Sequence, residues 1–262
     1  MNIDEIIKRD LDSKISANSN FSIKNLIDEI LKQDVNLYVV GGAPRDWLQL
    51  KSANDIDLVV DRELNHIYAL CKFLFNEVNL VYFERLGLLK IKGDLAEVDI
   101  NIMRDEKMTR AVWEESEYFP VKEIEVDFLI RDFSINCFYY NCRTKVISNP
   151  VKGAENDLLG KSLRIIMGPT MMRYDQRICL RILKFMSLGY VATEETLEVL
   201  KERFNADILT FDGFSKWLAV TVKPKADNYQ KFKVLALQQS ISPVATSKLE
   251  KLFNEIELTP YA

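Results

Sequence analysis

A single histidine (His66) and four cysteines (Cys71, Cys137, Cys142, Cys179) are all that the 262-residue chain offers for zinc or thiol chemistry, and no two cysteines form a CxxC pair. No zinc site is expected from so sparse a ligand set, and reduced thiols in a cytoplasmic protein are the default. No apolar run approaches the roughly 18–20 residues of a bilayer span, and the opening MNIDEIIKRD is charged and lacks a signal-peptide pattern, so no membrane partner is expected. A positive surplus is missing too: 35 Lys and Arg face 39 Asp and Glu, a net charge of −4 that does not advertise nucleic acid. Local charge can still outweigh the sum. The bulk composition, 48% hydrophobic and 28% charged, is that of a globular chain with one large or two modest domains.

Residues 37–60 concentrate the chemistry. The run Leu37-Tyr38-Val39-Val40 reads as a short buried strand, and Gly41-Gly42 allows backbone conformations that larger residues resist. Pro44 suits a first helical turn, so Ala43 to Leu50 is predicted to be helical. Glycine amides and a helix N-terminus together make an anion site. Asp55 to Val60 reads as a second strand, with Asp55 and Asp57 on one face and Ile56, Leu58 and Val60 on the other. Two carboxylates this close repel unless neutralised, and Mg²⁺ carrying phosphate oxygens does so economically.

Around this stretch, Ile3 to Leu31 carries the spacing of two helices interrupted at Ser13–Asn20, and Glu63 to Asn76 that of a third, which carries His66 as a surface or structural residue. Strand-like runs follow at Leu80–Phe83, Leu86–Ile91 and Leu95–Met103, with Gly93-Asp94 as a two-residue hairpin turn. On the last strand Asp99 shares a face with Glu97 and Asn101, which makes it a candidate third carboxylate. The acid-rich stretch 105–127 is predicted to be a mobile surface loop. In IRDFSINCFYYN, Arg131 can reach a phosphate or base, and Asp132 can cap a helix or accept from a ribose hydroxyl. From Met171 the pattern is helical, with Arg173, Arg177, Arg181 and Lys184 on one face. Six basic residues against one acid, Asp175, between Lys161 and Ala192 make this the place where an acidic protein could hold phosphates.

Gly41-Gly42-x-x-Arg45-Asp46 followed by Asp55-x-Asp57 resembles the signature of the class II tRNA nucleotidyltransferase (CCA-adding) and bacterial poly(A) polymerase family, within the polymerase-β-like nucleotidyltransferases. VDINIMR (98–104), IRDFSIN (130–136), the connector 146–164 and RYDQRICLRILKFMSLGY (173–190) resemble its later motifs. Three departures stand out: Ile130 replaces the first arginine of an Arg-Arg-Asp motif, Asn149 an aspartate, and Tyr174 the glutamate of the base-reading helix. The resemblance implies an α+β fold: a polymerase-β-like head of mixed or antiparallel sheet with flanking helices over 1–148, then an all-helical neck over 149–262. It also implies a short member without the C-terminal body and tail. Asp55, Asp57 and Asp99 would be catalytic, with Asp55 and Asp57 holding Mg²⁺. Gly41, Gly42, Arg45, Asp46, Arg131, Asp132, Asn136, Asp175, Arg177 and Arg181 would bind an NTP, ATP or CTP. The implied reaction is template-independent transfer of NMP to an RNA 3′ end, tRNA foremost. A small-molecule, nucleotide or protein acceptor is the alternative, and a non-catalytic nucleotide-binding regulator the second alternative. Oligomeric state is left open.

Overall fold

Strand β1 (Leu37–Val40) runs antiparallel to β2 (Ile56–Val60), pairing Val40 with Asp57, and the short helix α3 (Gly42–Leu48) fills the connection between them. Around this pair a computed structural model describes residues 2–17, 21–75, 79–114, 120–172, 175–223 and 226–258. The chain divides into two units, Met1–Arg131 with Ile135–Ala154 and Asp132–Ser134 with Glu155–Ala262.

The first unit is a seven-stranded mixed sheet in the order β3-β4-β5-β2-β1-β6-β7. Its remaining strands are β3 (Leu80–Phe83), β4 (Leu88–Lys92), β5 (Glu97–Ile102), β6 (Tyr139–Asn141) and β7 (Ile147–Ser148). Only β2 and β5 are parallel, so the connection between them must cross over, and α4 (Asn65–Leu74) with the β3–β4 hairpin provides it. Strand alternation sorts the side chains onto two faces. Val39, Leu58, Val60, Ile91, Val98 and Ile100 enter one core with α1 (Ile3–Leu11), α2 (Ile23–Leu31), α3 and α4. Val40, Val59, Met103 and Tyr139 form a smaller cluster on the other face, covered by Val121, Ile124 and Phe128. The polar residues of β4, β5 and β2 share that second face.

Helix starts follow the sequence. Asn2 with Glu5, and Ser22 with Asn25, make reciprocal capping boxes at α1 and α2. Helix α3 ends at Leu48, two residues before the predicted Leu50, which is in the left-handed conformation (φ 56°). The predicted two-residue turn at Gly93-Asp94 is instead a four-residue loop, because Lys92 pairs with Glu97 and Gly93 donates its N–H to the Ala96 carbonyl. The Ile15 carbonyl takes the Leu95 and Ala96 amides and lies where a Cβ on Gly93 would clash, at 1.8 Å. The predicted loop 105–127 also differs. It contains α5 (Glu106–Glu114) and α6 (Ile124–Asp127), while its centre, 115–119, lies outside the described residues. Asp105 accepts from the Met108 amide at 2.6 Å and so starts α5, and Met108 is buried, which the acid-rich composition concealed.

The second unit is mainly helical and also holds a small parallel pair, β8 (Ser162–Leu163) with β9 (Val191–Ala192), that an all-helical reading did not foresee. Its helices are α7 (Ala154–Leu159), α8 (Pro169–Met172), α9 (Ile178–Ser187), α10 (Glu194–Thr210), α11 (Phe214–Thr221), α12 (Tyr229–Gln239) and α13 (Pro243–Leu258). Leu180, Leu183, Leu200, Phe204, Phe214, Leu218, Phe232 and Phe253 are fully buried in it. The basic stripe predicted from Arg173 to Lys184 is interrupted, because α9 begins only at Ile178. Arg177 lies outside it in the preceding turn, and Arg173 and Tyr174 lie outside the described residues. Among the described residues no helix is long and apolar enough to cross a membrane.

One buried polar hub ties α1 to α3. Asp10 accepts from Trp47 Nε1 at 2.8 Å, from the Ala53 amide at 2.8 Å and from Ser52 Oγ at 2.9 Å, and Trp47 is wholly buried. Trp47→Phe keeps most of the packing but removes one donor from a buried carboxylate. It should lower unfolding free energy by about 1–3 kcal/mol, read from the urea midpoint.

Candidate active site

Parallel pairing of β2 with β5 sets Asp57 directly beside Asp99, and antiparallel pairing of β5 with β4 sets Asp99 directly beside Lys90. The pleat turns all three to the same face, in one row across three strands. Asp55 stands just before β2 and is exposed, while Asp57 is half-buried. Burial, then the charge of Asp99, and in smaller part that of Asp55, push the Asp57 carboxyl up to about 6, against opposing pulls from Arg131 and Lys90. The Asp99 carboxylate is engaged by Lys90, whose Nζ donates to its two oxygens at 2.9 and 2.6 Å. Lys90 was missed from sequence, although its alternation with Leu89 and Ile91 marks it as lying on the polar face.

The turn after β1 closes against this row. Gly41 has φ 74° and a Cβ there would stand 3.2 Å from Asp57 Oδ2, so this position favours glycine, while a Cβ on Gly42 would come 3.3 Å from Arg45 Nη2. Arg45 is fixed on two sides: Nε donates to Asp46 Oδ1 at 2.9 Å and Nη1 to Asn136 Oδ1 at 2.8 Å. Arg45 and Asp46 from one motif and Asn136 from another are thus one hydrogen-bonded group.

Arg131 belongs to a buried network that sequence reading did not find. Asp127, 1% exposed, accepts from Arg131 Nη2 at 2.6 Å, from Tyr139 Oη at 2.7 Å and from the Arg104 amide at 3.0 Å. The Arg131 guanidinium lies over the Tyr139 ring, 5.4 Å from its centroid. Burial opposes the Arg131 charge, but Asp127 and Tyr139 outweigh it and hold the guanidinium firmly protonated. The only sequence signal was the i, i+4 spacing of Asp127 and Arg131.

The remaining sequence-predicted residues lie in the second unit as two ion pairs. Asp132 accepts from Arg181 Nε at 2.6 Å and from the Phe133 amide at 2.9 Å. Asp175 Oδ1 accepts from Arg177 Nε at 3.0 Å and from its amide at 2.9 Å, and the Arg177 guanidinium lies 4.9 Å from the centroid of the Trp217 ring. Arg164 pairs with Asp157 at 2.7 Å. The sequence count of six cations against one acid therefore overstated the local charge, since Asp132 and Asp157 arrive from outside the counted window.

Among the described residues no three histidine, cysteine or acidic side chains converge as a ready-made metal cage. Mg²⁺ rarely uses such cages, and one or two carboxylates completed by phosphates and water suffice. A half-buried carboxylate with Asp99 directly beside it fits a cation site, with Asp55 and Asp57 as the residues that could hold the ion.

The family described as the poly A polymerase head domain matches residues 37–164. Poly(A) polymerase I of Haemophilus influenzae is 26% identical over 174 residues, which is 62% of this chain and 37% of that protein. The Thermotoga maritima CCA-adding enzyme, solved in complex with tRNA, superposes with a TM-score of 0.66 at 19% identity over 98% of this chain and 61% of that one. A tRNA nucleotidyltransferase solved with a primer tRNA and an incoming ATP analogue gives 0.57 at 20% identity, over 89% of this chain and 60% of that one. The chain spans less than two thirds of the length of each. The likeness in fold agrees with the expected α+β head followed by helices.

Because folding raises the Asp57 pKa above its ordinary 3.8, the folded state holds more protons between about pH 4 and 6, and stability falls as pH rises through that window. Asp57→Asn should then stabilise the metal-free protein by about 2–3 kcal/mol at pH 7.5 and by little at pH 4.5, in paired urea titrations with chelator present. Asp127→Ala leaves a buried guanidinium unpaired and should cost about 3–5 kcal/mol in the same titration.

Proposed function

We propose that this protein is a template-independent nucleotidyltransferase, a reading supported by the match of residues 37–164 to the poly A polymerase head domain. It moves NMP from an NTP, ATP or CTP, to the 3′-hydroxyl of RNA, tRNA foremost, and releases pyrophosphate. It acts in the cytoplasm, with residues 1–148 as the catalytic head and 149–262 as the helical neck. The observation that carries this reading is the 3.2 Å approach of Asp57 Oδ2 to the Cβ direction of Gly41, which brings the acid row against the glycine turn.

Asp55 and Asp57 would hold Mg²⁺, and Asp99 completes the acidic row. Bound Mg²⁺ supplies charge neutralisation at the triphosphate and a lowered pKa at the attacking hydroxyl. The chain's own groups do the positioning. Gly41 and Gly42 let the backbone approach the phosphates, and Arg45, steadied by Asp46 and Asn136, offers its guanidinium to their oxygens. Arg131, anchored by Asp127, contributes a fixed positive charge beside Asp57. Phosphoryl transfer needs positioning and charge compensation more than a covalent nucleophile. By the family resemblance, Asp132, Asp175, Arg177 and Arg181 are nucleotide-binding candidates of the second unit.

The test is incubation with each labelled NTP, Mg²⁺ and total RNA. Label is expected on RNA 3′ ends, and Asp57→Asn should reduce it by at least about a thousandfold while the far-UV circular dichroism stays unchanged. Label on a small molecule or a protein instead would move the acceptor. Ordinary incorporation by Asp57→Asn would refute the assignment.

A further inference from the structure

Among the described residues, Lys90 is the cation paired across the strands with the acid row. It is the cross-strand neighbour of Asp99, which is in turn the cross-strand neighbour of Asp57. Its ammonium has three donors. It contacts both Asp99 oxygens, at 2.9 and 2.6 Å, and Glu97 Oε1 at 3.0 Å. Lys90 and Asp99 are only 26% and 24% exposed, so water screens the pair less than a surface ion pair. The carboxylate next to Asp57 is therefore engaged by a cation that the protein supplies itself.

A divalent ion drawn to Asp55 and Asp57 meets this arrangement at once. An ammonium within hydrogen-bonding distance of Asp99 repels an incoming cation, and the same lone pairs cannot serve both. We propose that Lys90 is a tethered competitor of the metal: Asp99 becomes available to a divalent ion only when the Lys90 ammonium is displaced. The lysine thereby sets how much free metal the site requires. Its charge also keeps the row partly neutral when no metal is bound. The proposal rests on the reading of the acid row as a divalent-metal site.

Lys92 provides the internal control. It lies two residues along β4 on the same face, opposite Glu97 rather than Asp99, and is exposed. Its charge adds to the general field near the acids but does not cross-pair with Asp99.

The experiment is Mn²⁺ binding to the full chain without nucleotide, with free Mn²⁺ read from its electron paramagnetic resonance signal. Lys90→Met and Lys90→Gln should each bind Mn²⁺ at least about tenfold more tightly than the wild type. Lys90→Arg, which keeps the charge, and Lys92→Met should bind as the wild type does. Unchanged or weaker binding by both neutral Lys90 variants would overturn the competition while leaving the metal site standing. Equal tightening by Lys92→Met would overturn it as well, since a diffuse field would then account for the effect. Absence of Mn²⁺ binding in the wild type and in every Lys90 variant would overturn the metal reading itself, and the competition with it.

Discussion

Two carboxylates held side by side on adjacent parallel strands are electrostatically unfavourable, and much of the first unit surrounds the place where this occurs. Asp57 and Asp99 are forced together by the β2–β5 register, which the buried residues alternating with them, Leu58 and Ile100, hold from the opposite face. A slip of either strand by one residue would turn its own acid into the apolar core. The hydrophobic layer therefore sustains the crowding, and the polar face compensates for it, with Lys90 at one end of the row and the Arg131 charge nearby. Burial first, and then the crowding that this compensation leaves, show as the raised pKa of Asp57.

The supporting shell follows the same logic. Arg131 could not keep its charge in a buried setting alone, and Asp127 with Tyr139 makes that charge tolerable. Arg45 is fixed by Asp46 from its own helix and by Asn136 from a distant segment. Each cation thus has an anionic or polar partner that limits its freedom. Fixed dipoles and charges of this kind lower the reorganisation a charged substrate requires.

In the second unit the same pairing rule changes how the positive charge should be read. Arg164, Arg177 and Arg181 each meet an aspartate of their own unit, and Arg177 also stacks on Trp217. An arginine in such a pair is oriented rather than loose, and its fork presents a defined edge. The positive charge of Arg164, Arg177 and Arg181 is thus carried by oriented guanidinium groups, each held by its own aspartate.

Much of this was legible in order along the chain. The strand, Gly-Gly turn, short helix and Asp-x-Asp strand could be read from residues 37–60, because turn chemistry and strand alternation are local properties. Asp99 could be placed on the polar face of β5 by period alone. The loop reading of 105–127 failed because Met108 and Ile124 bury themselves against residues far away in sequence. The hairpin turn was misjudged because Ile15, nearly eighty positions upstream, takes its amides. No local pattern could say that Lys90 would face Asp99, that Asn136 would clasp Arg45, or that Asp127 would sit beneath Arg131 and Tyr139. The sequence by itself determined which residue types were present and which faces they would occupy, since propensity and periodicity act over a few residues. Tertiary structure alone decided which charges meet, because strand register and crossover connections are settled by burying the whole apolar face at once.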